Sequence, residues 1–423
     1  MTDYVKHVPA AAVPAGGVAV WKVVDAERWL RARTPGVFAP VAGSRLLAAP
    51  VLCSLVLLAL SAGGEAGRGT LWWAFVPFAL LAALPLWFRF LPLATLVATP
   101  AVAVAAAALF PSLDPGDTPG RTGCLLAVAL GLWAFAGASL RLRSRARRRA
   151  LALEAAGGAR FPVPDGLARA HHRRGLRPMA LGAGLCLVGA AFLVGGLALD
   201  LRGRDAAVPY DAVGQQGAAV LLLVPGTTLL GRGVAARRAV RLLHAGPQPA
   251  LVVGVRNARI TARHWLYPGA DSPHAPPLIA YATSYRDVVV GQRLLVAGSQ
   301  ETLRGRHHDI DSSSEPYEAV LYGVPVEGSE VVLECAVYGG DTRIVSHVTA
   351  VPLLPHRRHG LTRWRAAGAS HREEARRAEA RRKEERERRE QERRAARSDR
   401  SESGAAGGCG GGCGSGCGGC GCG

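Results

Sequence analysis

The feature that most constrains this chain is a series of apolar runs long enough to cross a lipid bilayer. A hydrocarbon core about 30 Å thick is crossed by about 17–25 helical residues. Leu46–Ala62, Leu71–Phe90, Leu91–Phe110, Gly123–Leu140 and Met179–Leu199 all meet that length. A sixth run, Gly214–Gly231, is weaker, with Gln215 and Gln216 at its start and Pro225-Gly226 inside it. The second and third runs form a hairpin hinged near Arg89 and Pro92. With no water to satisfy backbone groups inside lipid, each run is expected to be a helix.

Charge gives these helices an orientation. Arginine and lysine favour the cytoplasmic side of a membrane. The segment before the first run holds Lys6, Lys22, Arg28, Arg31, Arg33 and Arg45. The stretch after the fourth holds Arg141, Arg143, Arg145, Arg147, Arg148 and Arg149, then Arg160, Arg169, Arg173, Arg174 and Arg177. After the sixth come Arg232, Arg237, Arg238 and Arg241. The alternate connections carry only Arg68, then Arg121, then Arg202 and Arg204. Six spans with both termini in the cytoplasm satisfy this alternation, whereas five would export the arginine-rich tail. The first run begins too late for the short basic leader of a signal peptide, so none is expected. Residues 1–45 then form a cytoplasmic segment. Within it Val18–Arg33 combines Trp21 and Trp29 with cations, which suits an interfacial helix or an ordinary solvated one.

The formal charge is +19, and the only lysines are Lys6, Lys22 and Lys383. Much of the arginine abuts apolar runs, so orientation and anionic lipid headgroups account for it better than nucleic acid does. Alanine, glycine and arginine in abundance mark a GC-rich genome. In composition and layout the chain resembles the multi-pass integral membrane proteins of actinobacteria, with no diagnostic motif. That resemblance implies a plasma-membrane location, the bacterial inner membrane, and no particular activity.

Coupled transporters carry ionisable groups at membrane depth. The cores of these runs carry none. Arg89 sits at a helix end, where it can reach the interface. A transporter or channel component would need a polar path drawn from Thr95, Thr99, Gln215, Gln216, Thr227 and Thr228. Ala180, Gly184, Ala191 and Gly195 have the small-residue spacing that lets helices approach closely, for packing within the bundle or for self-association.

Residues 245–354 change character. Ala250–Val255, Ile279–Ser284, Val288–Val296, Ala319–Val324, Val331–Tyr338 and Arg343–Val351 read as strands. Gly339-Gly340 supplies the positive φ of a hairpin turn. A small β-barrel or sandwich is expected. Its polar cluster, Arg306-His307-His308-Asp309, offers imidazole and carboxylate donors, although neighbours on a strand point to opposite faces. It reads as a solvated loop, as does His171-His172. Cys335, on an apolar strand, reads as a packing residue. The chain has no H-E-x-x-H, no G-x-S-x-G and no P-loop.

Residues 355–403 are a charged Arg/Glu tail with opposite charges four apart, as in Glu373/Arg377 and Glu385/Arg389. It has no apolar stripe for a coiled coil. Residues 404–423 are glycine-rich with Cys409, Cys413, Cys417, Cys420 and Cys422. Thiolates at such spacing can capture a metal, though the paired C-x₂-C framework is missing. These five are the leading metal candidates, and no other cofactor is expected.

The expected fold is a membrane all-α helical bundle of about six transmembrane helices, residues 46–232, with an Arg-rich cytoplasmic loop over 141–178. A small all-β cytoplasmic domain and a disordered or charged-helical tail follow. Missing catalytic and transport signatures point to a non-enzymatic membrane anchor or scaffold that presents the β domain to a protein partner. A membrane-bound enzyme would need a pocket, for example one joining His307 and Asp309.

Overall fold

The computed structural model describes residues 17–63, 72–167, 169–202, 210–258, 263–269, 275–282, 317–339, 343–355 and 379–393. A helical bundle precedes a curled β-sheet. The elements are β1 (Ala19–Val20), α1 (Val23–Arg31), α2 (Pro40–Gly63), α3 (Trp72–Phe90), α4 (Pro92–Leu109), α5 (Thr118–Ala156), α6 (Arg169–His172), α7 (Leu176–Arg202) and α8 (Val213–His244). The strands β2 (Ala250–Ala258), β3 (Arg263–Tyr267), β4 (Ile279–Ala282), β5 (Tyr317–Tyr322), β6 (Glu330–Gly339) and β7 (Arg343–Pro352) follow. Residues 379–393 form an exposed helix, with Arg388 and Glu392 paired at 3.5 Å across one turn.

Among the described residues five helices are long and apolar enough to cross a membrane: α2, α4, α5, α7 and α8. The run expected as the second span is the helix α3, with a shorter apolar stretch, Ala74–Phe90. Leu91 breaks the helix before Pro92 at the expected hinge.

Two corrections concern the helices. The fourth span does not end in a loop at 141: α5 continues to Ala156, because Ala, Leu and Arg are strong helix formers, and it stops at Gly157 with φ 67°. The small residues Ala180, Gly184, Ala191 and Gly195 do not pack within the bundle; all are exposed. Packing of α7 on α8 uses Gly182, Gly189 and Gly196 instead, seven residues apart and buried. A Cβ on Gly182 would lie 2.4 Å from the Leu230 nitrogen.

On α5, small residues serve the same purpose: Gly123, Ala127, Gly131, Ala134, Gly137 and Ala138 are buried, with Gly123 against α2, Gly131 against α4 and Gly137 against Phe38 and Phe88. Leu47, Val51, Leu81, Leu84 and Phe88 fill the remaining space. The successive pairs α2–α3, α3–α4, α4–α5 and α7–α8 run antiparallel. Ser61 bonds Asp117 at one pole, where the Trp72 indole also donates to Asp200 at 3.0 Å. At the other pole Gly175 meets Gly233, and Ser144 donates to the Ala32 carbonyl.

In the β region the order is β4-β3-β2-β5-β6-β7, antiparallel throughout, with β1 added parallel to β2. The sheet curls until β4 meets β7, where Tyr281 bridges Leu353 and the Leu354 N–H donates to the Ala280 carbonyl at 2.8 Å. The strand expected at 288–296 lies outside the described residues. The strand β3 was not expected; Arg263 and His264 broke the apolar run that would have marked it. Near the bundle both faces of the sheet are covered, which explains why its strands read as continuous apolar runs. Leu251, Val253, Leu321, Val331 and Leu333 pack on the inner side with α1 and the end of α5. Val320, Tyr322 and Val332 pack on the outer side with Phe161 and Leu243.

Candidate functional site

The most distinctive polar chemistry among the described residues lies where the β-barrel meets the helix ends. The first clasp is built on the extension of α5. Arg141, 1% exposed, donates to the Phe88 carbonyl and, at 3.4 Å, to the Arg89 carbonyl. These are the carbonyls that the C-terminus of α3 leaves without helical partners, and a cation is favoured there. The same guanidinium reaches Glu327 at 3.1 Å, and Arg145 reaches the same carboxylate oxygen at 2.8 Å. Glu327 sits in the β5–β6 turn, beside Gly328 with φ 81°. Burial alone would raise its pKa, but the Arg145 and Arg141 guanidiniums outweigh burial and hold the carboxyl below its ordinary range.

One turn further along α5, Arg148 stacks on Trp29, its guanidinium carbon 4.2 Å from the ring centre. Trp29 meets Trp21 edge-to-face, with centroids 5.8 Å apart. The two indoles are 0% and 2% exposed and belong to the β-domain core. The helix expected around Val18–Arg33 forms as α1, and the two tryptophans are buried beside the β-domain core.

The second clasp was missed in the sequence, where His171-His172 reads as a solvated loop. His171 is buried, with Nδ1 3.5 Å from Glu330, and Arg174 donates to Glu330 at 2.7 Å. The rings of His171, His172 and His244 stand 5.0–5.8 Å apart. Burial lifts Glu330 to about 7, although Arg174 opposes the shift. Burial, reinforced by His244, Arg174 and His172, lowers His171 to about 4. A carboxyl that titrates near neutrality is unusual and tends to mark functional positions. No local pattern marked the pair, because Glu330 lies far along the chain from His171.

The opposite end of the barrel is a polar mouth. The Tyr281 hydroxyl is 3.2 Å from His264 Nδ1 and 3.5 Å from the Tyr317 hydroxyl. Cys335 is buried on β6, as expected of a packing residue, with His347 beside it on β7. β4 ends and β5 begins at this mouth. His307 and Asp309 lie outside the described residues, as do Cys409, Cys413, Cys417, Cys420 and Cys422. Among the described residues no three His, Cys, Asp or Glu donors converge as a metal site.

The hydroxyls considered for a transport path are bonded locally. Thr95 and Thr99 on α4 return to the Leu91 and Leu96 carbonyls, and Thr228 on α8 returns to the Val224 carbonyl. Thr227 bonds Leu223 and accepts from Trp87. Gln215 meets Tyr210. Comparison of the chain with protein-family models, curated proteins and solved structures found no match.

Proposed function

We propose that this chain is a scaffold of the bacterial inner membrane, crossing it six times and holding a β-barrel on the cytoplasmic side for a protein partner. Both termini are then cytoplasmic, the bilayer and its anionic headgroups surround the bundle, and no enzymatic step is assigned. The observation that carries this reading is the double clasp. Glu327 in the β5–β6 turn and Glu330 at the start of β6 bind arginines on α5 and in the turn between α6 and α7. Ion pairs from separate elements fix an orientation more firmly than one flexible contact does. The barrel mouth lies at the strand ends opposite the bundle, and there the proposed partner would dock. The arginine-rich pole lies on the barrel's side, which favours a cytoplasmic barrel.

The test is a photo-crosslinking residue placed at Arg263, at the mouth, in intact membranes. A discrete protein adduct there, absent when the probe replaces Leu221 on the bundle surface, is the expected result. Solute flux through the purified protein in liposomes, without such an adduct, would replace the scaffold reading with transport. A periplasm-only reporter active after Arg241 would overturn the orientation.

A further inference from the structure

We infer that the first clasp is a binding site for a phosphate-bearing anion, held by Arg148 and Arg145 with the indoles of Trp21 and Trp29. The charge count is the starting point. Arg141, Arg145 and Arg148 lie on successive turns of α5, with exposures of 1% and 28% for the side chains of the first two and 5% for Arg148. Among the described residues one carboxylate, Glu327, serves this group, and its hydrogen bonds go to Arg141 and Arg145. Buried cations are normally paired, because an uncompensated one carries a large desolvation cost.

The hydrogen-bond inventory points the same way. Arg148 Nε and Nη2, Arg145 Nε, Trp21 Nε1 and Trp29 Nε1 are buried without a hydrogen-bond partner among the described residues. Every one of these atoms is a donor. A set of donors without acceptors calls for a ligand that only accepts, and an oxyanion does so with several oxygens at once. Guanidinium suits phosphate in particular, through paired N–H groups in a planar fork. Stacking on Trp29 fixes the plane of Arg148, and the partly exposed Arg145 marks the way in.

The site lies at the arginine-rich end of the bundle, the level of lipid headgroups. The phosphate has two sources, a lipid headgroup or a free anion. The charge count holds whether or not the barrel recruits a partner, so this inference does not rest on the scaffold reading.

The experiment is thermal unfolding of the full chain. One arm uses neutral detergent in chloride buffer with added inorganic phosphate. The other uses phosphatidylcholine nanodiscs with and without phosphatidylglycerol. A saturable rise in melting temperature in the first arm identifies a free anion; a rise confined to phosphatidylglycerol identifies a headgroup. Either supports the site, provided that Arg148→Gln weakens the effect about tenfold, the scale of one charge-assisted hydrogen bond. Trp29→Phe keeps the ring and removes its N–H, so it should weaken binding less, and it serves if Arg148→Gln does not fold. No saturable rise in either arm, or equal responses from wild type and the variants that fold, would overturn the inference.

Discussion

The bundle and the barrel place their large apolar side chains in opposite ways. In the bundle the helix contacts are made largely of glycine and alanine, while Val97, Leu187 and Leu221 are 77%, 71% and 77% exposed. In the barrel Leu251, Leu266 and Leu321 are at most 1% exposed. The barrel is arranged as a protein is in water. The bundle is arranged for a solvent as apolar as leucine itself, where close backbone approach holds helices together. Between the two lies a layer of arginine and glutamate, and the whole assembly depends on that layer.

Several substitutions would break or sharpen this contrast. The largest effect is expected at the boundary. Glu327→Ala leaves Arg141 and Arg145 buried without their carboxylate, a loss of about 3–5 kcal/mol. Hydrogen exchange in β5 and β6 should then speed up while α7 and α8 keep their protection. The two regions can next be compared with one substitution. Leu321→Ala in the barrel core should cost about 2–5 kcal/mol, whereas Leu221→Ala, on an outward face, should change stability in detergent by less than about 0.5 kcal/mol. Equal losses would remove the contrast.

Gly182→Leu tests whether the bundle depends on small residues. Its side chain would meet the Leu230 backbone and the Gly226 carbonyl, so α7 and α8 must separate at a cost of about 1–3 kcal/mol. A smaller loss is expected from a pH dependence. Glu330, lifted to about 7 by burial, contributes stability that is complete below the ordinary carboxyl range and is lost as pH rises through about 7. Between pH 6 and 8 the wild type should therefore lose about 1 kcal/mol relative to Glu330→Gln, less than the full linkage value because Arg174 is partly exposed. His171, lowered to about 4, acts in the opposite direction: its contribution is present above about 6.5 and is lost as pH falls toward 4. Melting curves of both proteins across this range check the sign.

The apolar runs made the helical half legible, because length and composition alone decide whether a segment suits lipid. Strands β2, β5, β6 and β7 were legible for a similar reason, as short β-branched runs between breaks. The clasps were not. Arg141 and Arg148 look like any other arginines of a basic stretch, and only the continuation of α5 carries them into the core. Trp21 and Trp29 lie beside cations, a pattern that an interfacial helix and a segment buried beside the β-domain core share. The glycine seam of α7 was hidden by a second small-residue pattern on the outward face, since both patterns satisfy close approach and sequence does not say which side the neighbour occupies.

Everything above depends on the outward apolar faces of the helices being covered by lipid. Alkaline carbonate extraction of membranes carrying the full chain tests this directly, because it releases peripheral proteins and leaves spanning ones in place. The protein is expected to stay entirely in the membrane pellet until detergent is added. Release into the carbonate supernatant as a monodisperse species would contradict the assignment of α2, α4, α5, α7 and α8 to the bilayer.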